Sequence, residues 1–362
     1  MKISMKRLLG LLLIFISQFT HAQEDSTDLF VKVQMQQRKI PGLQLAIVKN
    51  GQIVKTGNYG WANLQDSIPV SDKTVFTINS ITKAFTGVAI MQLVEKGLLD
   101  LSSPLSTYLT GLPSSWNAVT IQQLLSHTSG LPYIVDEEES VLIAPGEEAS
   151  WKKVIELPMD FTPGEKFSYN QTNYLLLGRI IDTLAAMPFT EFIKKEQLQK
   201  AGMTKTIRSG FGANKEVVPF AAGGYRYSGG RLMNMFFSFP PSLQTAAGMS
   251  STATELAQWI IALQSGQLLK KTSSLSTLWT PVLLNNGKTE GFNKFLNGYA
   301  AGWPTVTRKQ HPAAAAVGGG RSAVFVYTQD QLSIIVLTNL AGGSPDVFID
   351  QIAGFYLKEF KK

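Results

Sequence analysis

The run FTINSITKAFTGVAIMQLVEKG, Phe76 to Gly97, carries apolar residues in nearly every helical direction. A helix apolar all round is a buried one, so a core helix is predicted to begin near Ser80. Other parts of the chain follow the two-residue period of strands. LQLAIVKNGQIVKTGNYGWAN reads as a hairpin about Asn50-Gly51, a pair suited to a type I′ turn. SAVFVYTQDQLSIIVLTNL reads as two strands turned at Gln329-Asp330-Gln331. From Ile121 to about Ala262 the pattern is mostly helical, with Gly/Pro breaks at Leu157–Gly164 and Ser209–Gly230. In SSTATELAQWIIALQSG, Thr252 and Glu255 have capping-box spacing and Gly266 follows the end. Helices are also expected over Asp28–Arg38, before the Pro41-Gly42 break, and over Asp346–Phe360. Hairpins near both ends predict an α/β (α+β) fold in which one antiparallel sheet is assembled from the two termini. The sheet part is placed at about 23–115 and 290–362, with an inserted helical lobe at about 116–289.

The first residues change the picture of location. Lys2, Lys6 and Arg7, the apolar Leu8–Ile16 and the Thr20-His21-Ala22 site have the form of a signal peptide over residues 1–22. The expected address is a bacterial periplasm or the medium, with residues 23–362 forming a single domain. Three of the 33 Lys and Arg residues lie in that leader, leaving 30 against 26 Asp and Glu, a net charge of +4. No basic run interleaved with aromatics supports nucleic-acid binding, and no run in the mature chain is long and apolar enough to span a membrane. The chain has no Cys, and only His127 and His311 remain after the leader, so disulfides are excluded and neither a metal nor a cofactor is expected.

Candidate chemistry centres on Ser80 and Lys83, three residues apart on the apolar helix and so on one face. Burial disfavours the ammonium and makes a lysine a proton acceptor beside a hydroxyl. The helix N-terminus at Ser80 favours developing negative charge. The spacing alone is weak evidence: a Ser80 cap with Lys83 reaching the surface fits it too. Ser150 and Lys153 repeat it on a short segment stopped at Pro158, where Ser150 reads as a helix cap. TPGEKFSYNQTNYLLLGRIID adds Tyr169, Asn170 and Gln171 at the mouth of a second helix. A phenol there can relay a proton and a carboxamide can donate to a substrate carbonyl. Equally, Tyr169 can be a packed aromatic and Asn170 a helix cap.

Several segments together resemble the penicillin-recognising serine hydrolases, a family that includes class C β-lactamases, D-alanyl-D-alanine carboxypeptidases and related esterases. The segments are FTINSITKAFTG, LLSHTSGLP, PGEKFSYNQTNYLLLG, AAGMSSTATELAQW and IIVLTN, in that order between about Ile40 and Asn339. The resemblance implies a β-lactamase/transpeptidase-like fold and an acyl-enzyme on Ser80, with Lys83 and Tyr169 shuttling protons. Two departures stand out. Where the family has Asn two residues after the Tyr, this chain has Gln171, with Asn170 before it. The family's short Lys- or His-led triplet has no clear match: Lys55-Thr56-Gly57 lies in the first hairpin, and KQHPAAAAVGGGRSAVFVY stands where the triplet belongs. Without gaps the triplet falls on Ala313–Ala315, and a two-residue shift makes it His311-Pro312-Ala313. Either His311 supplies the cation or it is lost, with Arg321 a weaker substitute. Gly318–Gly320 matches the Gly-rich turn after the strand, which makes Gly318 and Gly319 substrate-facing. His127 lies in a stretch that resembles a structural segment of the family. The implied function is hydrolysis of a small-molecule or peptidoglycan-derived ester, amide or β-lactam, with esterase or D-alanyl-peptidase chemistry preferred. The alternative is a non-catalytic module of the same fold that binds cell-wall peptide. Oligomeric state is left open.

Overall fold

The computed structural model describes residues 25–136, 142–212, 217–236 and 239–357 together with Phe360. The expected signal peptide therefore lies outside the described residues. The chain opens with helix α1 (Ser26–Arg38), capped by Asp25. Strands β1 (Gly42–Lys49) and β2 (Gln52–Asn63) follow, and β3 (Ile68–Pro69) and β4 (Phe76–Thr77) are short. Asn50 and Gly51 join β1 to β2, both at positive φ (52° and 73°), as the type I′ reading requires. A 3₁₀ turn over Asn79–Ile81 leads into α2 (Thr82–Glu95). The helices α3 (Ile121–Leu125), α4 (Glu147–Glu156), α5 (Gln171–Ala185), α6 (Phe189–Ile193) and α7 (Thr204–Ser209) come next. A small hairpin, β5 (Tyr225–Ser228) and β6 (Arg231–Asn234), precedes β7 (Ser250–Ser251), α8 (Ala253–Gln264) and α9 (Thr272–Trp279). Strands β8 (Gly298–Tyr299), β9 (Pro304–Val306), β10 (Ala313–Gly318), β11 (Ser322–Tyr327), β12 (Leu332–Thr338) and β13 (Leu340–Ala341) lead to α10 (Ile349–Ala353).

Eight strands form the main sheet in the order β3-β2-β1-β12-β11-β10-β9-β8, and every pairing in it is antiparallel. β1 lies against β12 from Leu43–Thr338 to Lys49–Leu332, so the two ends of the chain meet at its centre. The central strands are buried on both faces, and alternate residues serve different cores. Leu43, Leu45 and Ile47 of β1 join Ala323 and Phe325 of β11 and Ile349 and Ile352 of α10 in one cluster. Ala46, Val48, Val324, Val326, Ile335 and Leu337 face the other, which contains α2, α5 and α8. Phe85 of α2 stacks on Trp259 of α8 at 3.9 Å between ring centroids. Both faces of α2 are therefore covered, which is why its sequence shows no polar stripe.

Three local expectations are corrected. Glu255 does not complete a capping box: Thr252 accepts from its backbone N–H, but its carboxylate turns away to accept from the N–H groups of Lys205 and Thr206. The orphan donors of α7 claim the acid more strongly than its own helix does. The Asp346–Phe360 helix shrinks to a 3₁₀ turn, Pro345–Val347, and the five residues of α10, because Phe355 and Tyr356 turn back past Gly354 onto α1. The Ser209–Gly230 break contains half of the β5–β6 hairpin, turned at Gly229 and Gly230, both at positive φ. Only Tyr225 of β5 is buried, so no alternation marks it.

Candidate active site

The segment before α2 is clamped from two sides. Ile78 N–H donates to Met249 O (2.9 Å), and Ile78 O accepts from Ser322 Oγ on β11 (3.0 Å). Gly318, the last residue of β10, has no room for a β-carbon against that same carbonyl. A glycine is thus required for β10 to reach the turn that carries Ser80. Asn79 adopts a left-handed conformation (φ 49°), and Gly319 and Gly320 do so across from it (φ 55° and 60°). Ser80 is half-buried at the start of the helical segment and faces an open cleft of about 1100 Å³.

Lys83 lies directly below. It is 1% exposed, and burial pushes its amine well below the usual lysine value. Its Nζ donates to Gln171 Oε1 (2.8 Å) and Ala246 O (2.9 Å) and stands 3.4 Å from Ser80 Oγ. A neutral amine has two N–H donors and one lone pair. Gln171 and Ala246 use the donors, so the lone pair is left for the serine hydroxyl. The answer to why a core helix keeps a lysine is geometric: every polar atom at its tip has a partner.

Tyr169 borders the same point. Its hydroxyl is hydrogen-bonded to Ser80 and to Gln171, and burial raises its pKa, so it stays a protonated phenol. Lys83 Nζ sits 4.7 Å from its ring centroid. The ring is held by Phe292 (5.1 Å) and by His127 (4.4 Å). His127 is fully buried and also at positive φ (59°). Its Nδ1 accepts from Asn170 N–H (3.1 Å), which leaves the proton of the neutral ring on Nε2. Burial holds it well below the usual histidine value, so it is uncharged. It belongs to the support of Tyr169 rather than to a triad with Ser80.

Ser80, Lys83, Tyr169 and Gln171 are therefore brought together, with Gly319 on the cleft wall. Gln171 departs from the expected use: its oxygen is engaged by Lys83. Asn170 is the N-cap of α5, accepting from Thr172 N–H and donating to Leu131 O, and it does not line the cleft. Gly318 contacts Ile78 rather than the cleft. His311 is not brought to the site. It lies beyond the opposite end of β10, with Nδ1 on Asp330 (2.9 Å) and its ring stacked on Phe360. The shift needed to enter His311 as the triplet's cation is thus absent, and small alanines fill that strand. Arg321 is 2% exposed behind Met235 and does not line the cleft. Lys55, of the stray Lys-Thr-Gly, pairs with Asp25 and Asp28 on the first hairpin. The Ala246 carbonyl could not be found from sequence, because a backbone acceptor 163 residues away leaves no mark on residue choice. Among the described residues no group of three or more His, Cys, Asp or Glu could hold a metal ion, and no helix is long and apolar enough to cross a membrane.

A half-buried serine over a buried lysine, beside the ends of β10 and β11 in a large antiparallel sheet packed with helices, fits the β-lactamase-type α+β class. The family model "Beta-lactamase" matches residues 27–356, and the chain belongs to that family of serine hydrolases. It is 28% identical over 330 residues to protein flp of Staphylococcus aureus (strain MRSA252), covering 89% of this chain and 64% of that protein. The chain thus spans less than two thirds of the length of that relative. It is 30% identical over 276 residues to the putative penicillin-binding protein PbpX of Bacillus subtilis (strain 168), covering 72% and 68%. The crystal structure of a penicillin-binding protein from Bacillus halodurans superposes with a TM-score of 0.72 at 27% identity, over 90% of this chain and all of that one.

Proposed function

We propose that this chain is an exported hydrolase that works through an acyl-enzyme on Ser80. Neutral Lys83 takes the hydroxyl proton as Ser80 Oγ attacks the substrate carbonyl carbon, and the C=O pair moves onto oxygen. The resulting ammonium has three donors, two already directed at Gln171 Oε1 and Ala246 O. As the tetrahedral intermediate collapses, Tyr169 gives its proton to the departing oxygen or nitrogen and recovers one from Lys83. Water then attacks the acyl-enzyme by the reverse sequence and regenerates Ser80. The observation that carries this reading is the buried Lys83 tip, which donates to Gln171 Oε1 and Ala246 O and stands 3.4 Å from Ser80 Oγ.

The cleft supports an ester or an uncharged amide as substrate. Tyr133, Leu142, Ile143, Phe236, Phe239 and Leu243 give it a largely apolar wall, and among its described lining residues Asp136 carries charge while Lys and Arg are absent. With His311 remote, no Lys, Arg or His among the described residues lining the cleft is there to receive a substrate carboxylate. Intact-mass labelling with a fluorophosphonate tests the chemistry. A single adduct on the wild type and none on Ser80→Ala is expected. No adduct on folded wild type would overturn it and put the peptide-binding module first. Faster turnover of a cephalosporin than of neutral p-nitrophenyl esters would overturn the substrate reading.

A further inference from the structure

Asn79, immediately before Ser80, combines three features. It is left-handed (φ 49°) and 4% exposed, and neither Oδ1 nor Nδ2 has a hydrogen-bond partner. The backbone explains part of this, because Asn and Gly are the residues that tolerate that conformation. It does not explain the amide. Glycine would serve the backbone without burying two unsatisfied polar atoms, which destabilise a folded protein. The residue also borders the chemistry. Asn79, Ser80 and Gly319 line the same cleft, and Gly319 has no room for a β-carbon against Asn79 Nδ2. Exposed Gly319 lies against that nitrogen, and both glycines of the Gly319–Gly320 turn are at positive φ.

We propose that the Asn79 carboxamide is a donor to the reacting carbonyl: Nδ2 hydrogen-bonds the acyl oxygen as it gains charge in the tetrahedral intermediate. The inference rests on the Ser80 acyl-enzyme. The donor stands next to the attacking residue, at the positive end of α2, where oxyanion charge is already favoured. A small displacement of the glycine turn opens Nδ2 to the cleft. The bond is made only when substrate is present, so the free protein carries the unsatisfied amide and the transition state gains from it.

Asn79→Gly separates amide from backbone, since glycine keeps the left-handed conformation. With a p-nitrophenyl ester, kcat is expected to fall about 10²-fold, as for loss of one oxyanion donor. KM should change little, and the thermal midpoint should stay equal or rise. Asn79→Asp keeps the shape but offers only acceptors, and should lose at least as much kcat. Unimpaired kcat in Asn79→Gly, or losses in both variants that follow a lowered midpoint, would overturn the proposal. Wild type that takes no fluorophosphonate adduct would sink the acyl-enzyme reading and this inference together. A labelled wild type beside an unimpaired Asn79→Gly would sink this inference alone.

Discussion

The chain contains Ser-x-x-Lys twice, and the two copies have opposite fates. Ser80 and Lys83 occupy a helix enclosed on all sides, with the lysine tip bonded to Gln171 and Ala246 from two other elements. Ser150 and Lys153 lie on α4, one face of which is solvent. Ser150 is buried, but its Oγ donates to Ala144 O (2.8 Å) and accepts from Ala144 N–H (3.1 Å), and exposed Lys153 donates to Ile143 O. Nor is Ser150 a helix cap: Gly146 holds that position, and Ser150 ties down the loop before the helix. Burial shifts the amine of Lys83, whereas Lys153 is exposed to solvent. The spacing places two side chains on one face. What surrounds that face decides whether they form a nucleophile and a base or a loop fastening.

The contrast is sharpest in the lysines. Lys83→Ala is expected to cut kcat about 10³- to 10⁴-fold while the protein stays folded, and Lys153→Ala to stay within about twofold. Steady-state kinetics on one ester would measure both, and equal effects would erase the distinction. Next comes pH. The native amine of Lys83 titrates well below the usual lysine value, so the active form is the deprotonated one. Activity should rise with pH through that lowered value and fall as acid protonates it. A kcat/KM profile that rises only near the ordinary lysine pKa would contradict a buried neutral base. Lys83→Arg should show a low profile without that limb, because guanidinium does not deprotonate.

Smaller effects test the supports. His127→Phe removes the acceptor for Asn170 N–H beneath Tyr169. It should lower kcat roughly tenfold and cost about 1–3 kcal/mol of stability, with His127→Asn recovering part of the rate. Unchanged kcat in His127→Phe would make the residue packing alone. Ser150→Ala, at the other pair, should cost about 1 kcal/mol by denaturant unfolding and leave turnover unchanged. A loss of activity there would mean that the second pair does more than hold its loop.

Much of the frame is legible in the sequence. Alternation in the two end hairpins, the Asn50-Gly51 turn and the greasy run after Ser80 are local signals, and each reports a face that must be buried. The same local rules failed where partners came from afar. Glu255 had the spacing of a capping box, yet α7 took its carboxylate. Asn170 looked like a substrate amide as readily as a cap, and the Thr172 N–H and Leu131 carbonyl settled it as a cap. His311 had the right chemistry for a missing cation, but the register of β10 carries it to the far end of the strand.

The sequence by itself determined that a serine and a lysine share one face of a core helix, that a tyrosine heads another, and that glycines follow the strand beside them. These are consequences of period, turn chemistry and burial, all local properties of the chain. Only the tertiary structure decided which groups meet. The Ala246 carbonyl that orients Lys83, the Asn170 N–H that fixes His127, and the glycine turn laid over Asn79 come from residues distant in sequence. Hydrogen-bond geometry depends on separations of a few ångströms between such elements, and no side-chain pattern along one of them encodes that distance.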